Sequence, residues 1–303
     1  MSQKQLYDLI KTDSAEAVLD EVRLILKSIS PDFDSAPVSS AFIKTIGLYE
    51  GKYPDYQACN TEFHDLRHSI ETFLAMARLI HGAILDGKIF RDDQIVLGLI
   101  AAILHDAGYI QENSDRDGTG AKYTASHVQR SMDFLERYGK EEGLSDEVIA
   151  NGRAIIHCTD LSVDIKAIAF SSTEIQLLGK MLGAADLLAQ MADRTYLEKL
   201  LFLYHEYSEA KLGDYENELD LLKQTVGFYD FIAHRLESTL DSTDRFMSSH
   251  FAAQWKINRN LYQEAIERQK NYLLQILKTK SDPRRHLRRE KILFKVTEKF
   301  GKK

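Results

Sequence analysis

Helical periodicity runs through almost the whole 303-residue sequence and constrains the fold more than any other feature. Apolar residues recur at spacings of three and four, whereas the alternating pattern of a half-buried strand is scarce. The chain contains four prolines. Because proline is the residue that most often ends or kinks a helix, so few of them leave long helices free to form. The sequence therefore predicts an all-α fold.

Individual helices are placed by apolar stripes and by residues that start or stop helices. Asp92 or Asp93 is predicted to cap the fourth helix, which is apolar on all sides and should be central and buried. A polar, glycine-containing segment, residues 111–124, predicts a loop over a cleft. The predicted helices cover residues 15–29, 39–48, 61–84, 95–104, 125–138, 146–157 and 174–207.

Three parts of the chain differ in character. Residues 1–59 are predicted to form an N-terminal helical segment and residues 60–210 a helical core. From residue 211 to 303 the helices become more charged and amphipathic, which predicts a C-terminal helical subdomain with a basic tail.

Charge and cysteine content exclude several classes of protein. The net charge of -7 argues against a general affinity for nucleic acid or an anionic membrane surface. The two cysteines, Cys59 and Cys158, lie far apart, which excludes a disulfide framework and a cysteine zinc site. No apolar run approaches the roughly 20 residues that span a bilayer. We therefore expect a cytoplasmic protein without membrane or nucleic-acid partners.

The apolar run AAILHDAGYI, residues 101–110, contains two adjacent polar residues, His105 and Asp106. The surrounding pattern predicts burial for both. An unpaired buried carboxylate costs several kcal/mol, so Asp106 needs a partner: another protein group, an ordered water or a metal ion.

Other histidines and one aspartate lie in segments that the pattern assigns to the helical core. Taken singly, each histidine is well explained as a hydrogen-bonded core residue. As a set, nitrogen and carboxylate ligands without thiolates favour Mn, Fe, Zn or Mg. Asp106 is suited to bridge two such ions, about 4 Å apart as in two-metal hydrolytic sites. The companions of His105 and Asp106 in this set are His64, His68, His127, His157 and Asp186.

The order His68, His105-Asp106, Asp186 resembles the H…HD…D signature of the HD superfamily of metal-dependent phosphohydrolases. These are all-α proteins with the site at the heart of a helical core. The resemblance covers roughly residues 60–207, so it implies an HD/PDEase-like catalytic core. Within it, FHDLRHSIETF resembles the YHNxxH segment of the class I cyclic-nucleotide phosphodiesterases. Phe63 replaces the tyrosine of that segment, and an aspartate replaces its asparagine.

The resemblance implies a role for each residue of the set. His64 would be the general acid that protonates the leaving alkoxide, and Asp106 the catalytic bridging carboxylate. His127 would either bind metal or support a ligand. The implied cofactor is a pair of divalent metal ions, Fe, Mn, Zn or Mg. The implied metal ligands are His68, His105, Asp106, His127, His157 and Asp186.

Two basic residues are candidates for contact with a substrate phosphate. Lys122 lies in the predicted cleft loop, and Arg130 follows His127 by one helical turn on the same face. Ordinary surface ion pairs are the competing interpretation of both.

The sequence therefore predicts a metal-dependent phosphohydrolase that acts on a small phosphodiester or nucleotide-like phosphoester through a water activated by two metals. One alternative is an HD-type di-iron oxygenase, because some HD proteins use the same ligand order to activate oxygen. Another is a non-catalytic HD signalling module. Whether the flanking helices form a homodimer, cover the cleft or dock a partner stays open.

Overall fold

The computed structural model describes residues 4–301, and within that range the regular elements are helical. This confirms the predicted all-α fold. None of the described helices is long and apolar enough to cross a membrane. The α-helices are Ala15–Ile29 (α1), Ala36–Tyr49 (α2), Leu66–Leu85 (α3), Asp92–Leu104 (α4), His127–Glu141 (α5), Asp146–His157 (α6), Thr173–Ala192 (α7), Tyr196–Ala210 (α8), Glu218–His234 (α9), Phe246–Trp255 (α10), Leu261–Leu277 (α11) and Ile292–Phe300 (α12).

Most predicted helices are present, and α1 and α6 have the predicted bounds. The helix expected from residue 61 begins later, at Leu66. The reason is that Asp65 is its N-cap, with Oδ1 accepting the backbone N–H of His68 at 2.9 Å. His64 therefore lies before the helix and does not share a helical face with His68. The fourth helix, expected from residue 95, begins earlier, at Asp92. Its N-cap is Arg91, so the prediction of Asp92 or Asp93 as the cap is wrong.

The single helix expected over residues 174–207 is in fact two helices, α7 and α8. Asp193 adopts a non-helical backbone conformation, with ψ at 132°, and ends the helical hydrogen-bond pattern. Its side chain accepts hydrogen bonds from the backbone N–H and the hydroxyl of Thr195, at 2.9 and 3.0 Å. An aspartate that bonds the residue two positions ahead offers the backbone an alternative to the helix.

The centre of the molecule is formed by α3, α4 and α7, which pack against one another. Almost every residue of α4 from Gln94 to Leu104 is buried, which confirms the prediction of a central helix. On the outside, α1 and α10 pack against α3, and α11 packs against α7. Buried apolar side chains from Leu9 to Val296 form one continuous cluster. The division of the chain into three parts stays a prediction.

The basic tail folds back onto the core instead of extending from it. Its last helix, α12, packs against α8. Arg284 forms an ion pair with Glu218 at 2.6 Å, and Lys299 forms one with Glu62 at 2.8 Å. The tail thus lies along the helix that follows the break at Asp193.

Candidate metal centre

Four side chains from three central helices meet at the inner end of a cleft. His68 lies in the first turn of α3, His105 and Asp106 directly follow α4, and Asp186 lies within α7. Oδ1 of Asp186 is 3.0 Å from Nε2 of His68 and 3.6 Å from Nε2 of His105. Oδ2 of Asp106 is 3.5 Å from each of the same two nitrogens. The predicted ligands of a first metal position are therefore brought together.

The geometry of this cluster fits a divalent cation. The ligand atoms of His68, His105 and Asp106 all lie within 4.8 Å of one another, and all three residues are buried. Oδ2 of Asp106 has no hydrogen-bond partner among the described residues. A buried carboxylate oxygen without a partner is costly unless a positive charge is nearby. These residues could hold a metal ion, and such an ion would satisfy that oxygen.

The carboxylates of the cluster are ionised at neutral pH. Burial favours the neutral acid, but His105 and His68 outweigh it and hold the pKa of Asp186 and of Asp106 below the usual range. Burial likewise disfavours a charged His105, yet Asp106 and Asp186 raise its pKa to about 9. The two ionised carboxylates therefore favour a positive charge beside them, which either a protonated histidine or a bound cation can supply.

Hydrogen bonds behind the imidazoles orient two of them toward Asp106. Nδ1 of His105 lies 2.8 Å from the carbonyl oxygen of Ala102, and Nδ1 of His127 lies 2.7 Å from that of Thr124. Because a carbonyl oxygen only accepts, each Nδ1 carries the proton and each Nε2 is available as a ligand. This is the arrangement that metal-binding histidines commonly show.

His127 approaches Asp106 from the side opposite to the first cluster. Its Nε2 lies 3.8 Å from Oδ1 of Asp106, whereas Oδ2 faces His68 and His105. Burial lowers the pKa of His127 and keeps its ring neutral, as metal binding requires. The two oxygens of Asp106 thus address two neighbouring positions, as expected for a bridging carboxylate.

Gly108 permits this approach. A Cβ atom at residue 108 would lie 2.0 Å from the carbonyl oxygen of His127, closer than any real contact. The chain after Asp106 can therefore pass directly beneath the first turn of α5 only with glycine at this position.

Three of the predicted site residues are not brought to the cluster. His157 ends α6, and among residues 4–301 its side chain has no hydrogen bond, ion pair or ring contact and does not line the cleft. Lys122 pairs with Asp115 at 2.6 Å. Arg130 donates from Nε and Nη2 to the carbonyl oxygens of Gly108 and Ile110, at 2.7 and 2.9 Å. These basic groups tie the loop together away from the cleft lining, so their placement does not support the predicted contact with substrate.

His64 lies beside the cluster and is held by Glu206 of α8. Nδ1 of His64 donates to Oε2 of Glu206 at 2.7 Å, while Oε1 accepts the backbone N–H groups of Glu62 and Phe63, both at 2.8 Å. Burial disfavours the charged ring, but Glu206 outweighs it and raises the pKa of His64. Nε2, the other nitrogen, faces the cleft 3.3 Å from the hydroxyl of Tyr109.

The ring of Tyr109 stacks against two histidines of the cleft, His64 and His127. Its ring centroid lies 4.2 Å from that of His64 and 4.6 Å from that of His127, with nearly parallel planes. The three rings pack against one another. A movement of His64 would therefore also shift His127, the residue that faces Oδ1 of Asp106.

Sequence reasoning missed Glu206 and Tyr109. The available signal was a carboxylate one helical turn after Phe202 and Leu203, on a face that is otherwise apolar. A buried acid on such a face requires a charged or hydrogen-bonded partner.

A network of ion pairs supports the start of α3. Lys199 lies 3.2 Å from Asp65, the N-cap of α3, and 3.5 Å from Asp193. Arg67 in turn lies 3.5 Å from Asp193 and 3.1 Å from Glu71. Asp193 and Lys199 are buried, so these pairs are less screened than surface pairs. Asp193 thus links α3 to α8 through Arg67 and Lys199.

The cleft above the cluster has a volume of about 530 Å³. One wall carries the polar groups and the other is largely apolar and aromatic, with two amide side chains. The residues of that second wall include Leu187, Gln190, Leu200, Leu203, Tyr207, Tyr215, Leu221, Gln224 and Phe228. A volume and lining of this kind suit a small organic molecule.

Fold and site together define an all-α protein with a buried histidine–aspartate cluster at the base of a cleft. The chain belongs to the Npun_R2479-like family, whose model matches residues 112–267. The matched segment contains His127, Asp186 and Glu206, whereas His68 and the His105-Asp106 pair precede it. No curated protein and no solved structure matches the chain.

Proposed function

We propose that the protein is a metal-dependent phosphohydrolase of the HD type, which hydrolyses a small phosphodiester in the cleft. The observation that carries the proposal is the pair formed by His64 and Glu206 beside the His68, His105 and Asp186 cluster. A proton donor and a cation-binding cluster are what phosphoester hydrolysis requires in one place.

Divalent cations bound at the cluster would neutralise phosphoryl oxygens and acidify a water molecule that attacks phosphorus. His68, His105, Asp106 and Asp186 would hold the first ion, and Asp106 and His127 would contribute to a second. His127 is neutral and could bind a cation through Nε2 without losing a proton. A cation held by His105 would replace the proton that the raised pKa of His105 favours.

His64 is the group suited to protonate the leaving oxygen. Glu206 favours the imidazolium form of His64 and orients its Nε2 toward the cleft. A pKa raised above the ordinary value of about 6.5 increases the protonated fraction of His64 at neutral pH. After the leaving oxygen takes that proton, the carboxylate keeps the neutral ring in position for the next turnover.

The apolar wall favours a substrate with an organic group on the leaving oxygen. Phe228 and Tyr215 offer aromatic surfaces, while the amides of Gln190 and Gln224 can both donate and accept hydrogen bonds. A phosphodiester with a flat, polar ring would use both kinds of contact.

The test is a metal assay combined with a hydrolysis assay. The protein as purified is analysed for bound metal and then assayed with bis(p-nitrophenyl) phosphate and with p-nitrophenyl phosphate. We expect bound divalent metal, and faster release of p-nitrophenol from the diester. The Asp106→Asn variant should lose metal and activity together, because it removes the charge of the carboxylate that faces both positions.

Asp160→Asn is the matched control, because Asp160 also lines the cleft but does not contact the cluster. It should retain metal and activity. If Asp106→Asn keeps both metal and activity, the site assignment is wrong. Two bound irons with oxygen consumption and no hydrolysis would instead favour the di-iron oxygenase alternative. A folded protein that binds no metal would favour the non-catalytic module.

A further inference from the structure

Apart from its histidines, the charged side chains that line the cleft are acidic. They are Asp106 and Asp186 of the cluster and Asp160 of the loop after α6, and within residues 4–301 no lysine or arginine belongs to the lining. The positive groups would be cations bound at the cluster and the ring of His64, which Glu206 helps to protonate. Positive charge is therefore confined to the base of the cleft.

The basic residues on the loops around the cleft bind oxygen atoms of those loops. Lys122 pairs with a carboxylate of its own loop at 2.6 Å, and Arg130 donates to two loop carbonyl oxygens. Arg235, which is 6% exposed, donates to the carbonyl oxygens of Asp160 and Leu161 at 2.7 and 3.2 Å. These basic groups thus support the loops from outside the lining and do not present their charge to the cleft.

Away from its base, the cleft offers apolar surface. Leu161 and Phe228 belong to the lining, and the ring centroid of Phe228 lies 6.0 Å from that of Phe231. Leu161 and Phe231 are 40% and 47% exposed, so the apolar surface continues outward from the lining. Lys211 and Lys223, from the neighbouring helices, are exposed and lie outside the lining. A charged group that entered this part of the cleft would lose water without meeting a counter-ion.

We propose, on the basis of the function proposed above, that the substrate carries a single phosphate, the one that is hydrolysed, and that its other groups are uncharged. A second phosphate at a distance from the first would have to lie against the apolar wall or beside a carboxylate. Either position is costly for an anion. Compounds with a second, remote phosphate are therefore poor substrates, whereas a phosphodiester that joins two uncharged organic groups fits the cleft.

The test compares two substrates that differ only in a remote phosphate. One is the p-nitrophenyl ester of thymidine 5′-phosphate, and the other is the same compound with an added 3′-phosphate. Both release p-nitrophenol, so the bond that breaks and the leaving group are the same. With the protein as purified, including its bound metal, we expect kcat/KM to be at least about tenfold higher for the first compound, mainly through a lower KM.

The salt dependence of the two rates is a second readout, which a change in folding would not imitate. Salt screens the repulsion between the added phosphate and the acidic lining. The preference for the singly phosphorylated compound should therefore decrease between about 20 mM and about 300 mM NaCl. A preference that increases with salt would reveal a basic binding site for the second phosphate and would overturn the proposal.

Leu161→Lys adds a cation to the lining, at a side chain that is 40% exposed. It should raise kcat/KM for the doubly phosphorylated compound by roughly threefold or more, and change that of the other compound less. Leu24→Lys is the matched control, because Leu24 is 64% exposed on α1 and lies outside the cleft. It should change neither value.

The single-phosphate preference and hydrolysis itself would fail in different ways. Equal kcat/KM values for the two compounds, a higher value for the doubly phosphorylated one, or an unchanged ratio in Leu161→Lys would overturn the preference although hydrolysis takes place. If neither compound is hydrolysed, the proposed function fails, and calorimetric titration of the same two compounds decides the preference. Binding of the singly phosphorylated compound at least about tenfold more tightly would support it. A smaller difference, or no binding of either compound up to about 10 mM, would overturn it.

Discussion

Nδ1 of His64 lies 2.7 Å from Oε2 of Glu206, and this contact joins the chain before α3 to the last turns of α8. The two residues are 142 positions apart in the sequence. Glu206 also accepts hydrogen bonds from two backbone N–H groups. These bonds fix the carboxylate independently of the imidazole that it orients.

Replacement of Glu206 by glutamine should weaken the acid without removing the metal. The amide cannot favour the imidazolium, so the pKa of His64 falls and the ring loses its proton at a lower pH. We expect hydrolysis of the diester to decrease by about 10²-fold, and the alkaline limb of the kcat profile to move to lower pH. Metal content and the pH dependence of kcat check this.

Glu218→Gln is the control for that experiment, because Glu218 forms the equivalent pair with His205 at 3.1 Å but lies outside the cleft. Its kcat profile should match that of the unmodified protein. A Glu206→Gln profile with both limbs unmoved would show that His64 is not the acid.

Alanine substitutions at His127 and His157 should differ in their effect on metal content. His127 faces Oδ1 of Asp106, whereas His157 contacts neither carboxylate of the cluster. We expect His127→Ala to lose about half of the bound metal if two ions are held, and His157→Ala to keep all of it. Elemental analysis at equal protein concentration measures both. Equal losses in the two variants would restore His157 as a ligand.

The buried pair of His81 and His250 should make the protein sensitive to acid. Their Nδ1 atoms lie 3.1 Å apart, and burial lowers the pKa of both, that of His250 to about 2. Below about pH 6.5 the unfolded chain binds protons that the folded chain refuses, so stability falls as the pH falls. His250→Gln removes one such group.

We expect that variant to lose roughly 1–2 kcal/mol less stability than the unmodified protein between pH 6.5 and pH 5. Urea unfolding at the two pH values measures the difference. His234→Gln removes an exposed imidazole and serves as the control. An unchanged slope in His250→Gln would mean that the buried pair is not a source of the acid sensitivity.

Alanine at position 108 should displace α5. The added Cβ would meet the carbonyl oxygen of His127 at 2.0 Å, so either α5 or the chain after Asp106 must move. Overpacking of this kind costs about 1–3 kcal/mol, and here it also moves His127 away from Asp106. Thermal unfolding and metal content are the measurements.

Gly227→Ala is the matched control, because nothing lies within 4 Å of the added atom and residue 227 is inside α9. It should be neutral, or more stable by up to about 1 kcal/mol. A Gly108→Ala protein with full stability and full metal content would show that the close approach to His127 does not matter.

The helices were accessible from the sequence because they depend on local patterns, and the first metal position because the order of its residues resembles the HD signature. The apolar period identified α4 as central, and the order of His68, His105, Asp106 and Asp186 predicted the cluster. The sequence could not show which side chains from distant parts of the chain face each other in the fold. Glu206 and His64 meet only through packing of α8 against the start of α3, and no local spacing encodes that contact.

The differences between expectation and structure have a common physical origin, which is competition between side chains and backbone. Asp65 moved the start of α3 by capping it, and Asp193 divided a segment that propensity alone would make one helix. Lys122 and Arg130 were expected at the substrate because of their charge. Each instead binds oxygen atoms of the loop. These oxygen atoms come within reach only when the loop is folded.

The turn at Asp193 also determines how close Asp186 and Glu206 can come to each other. On an unbroken helix, Asp186 and Glu206 would be separated by about 30 Å along one axis. In the folded chain, Asp186 contacts His68 and Glu206 contacts His64, and the rings of these two histidines are 6.4 Å apart. The three-residue turn between α7 and α8 thus brings together two carboxylates that an unbroken helix would keep far apart.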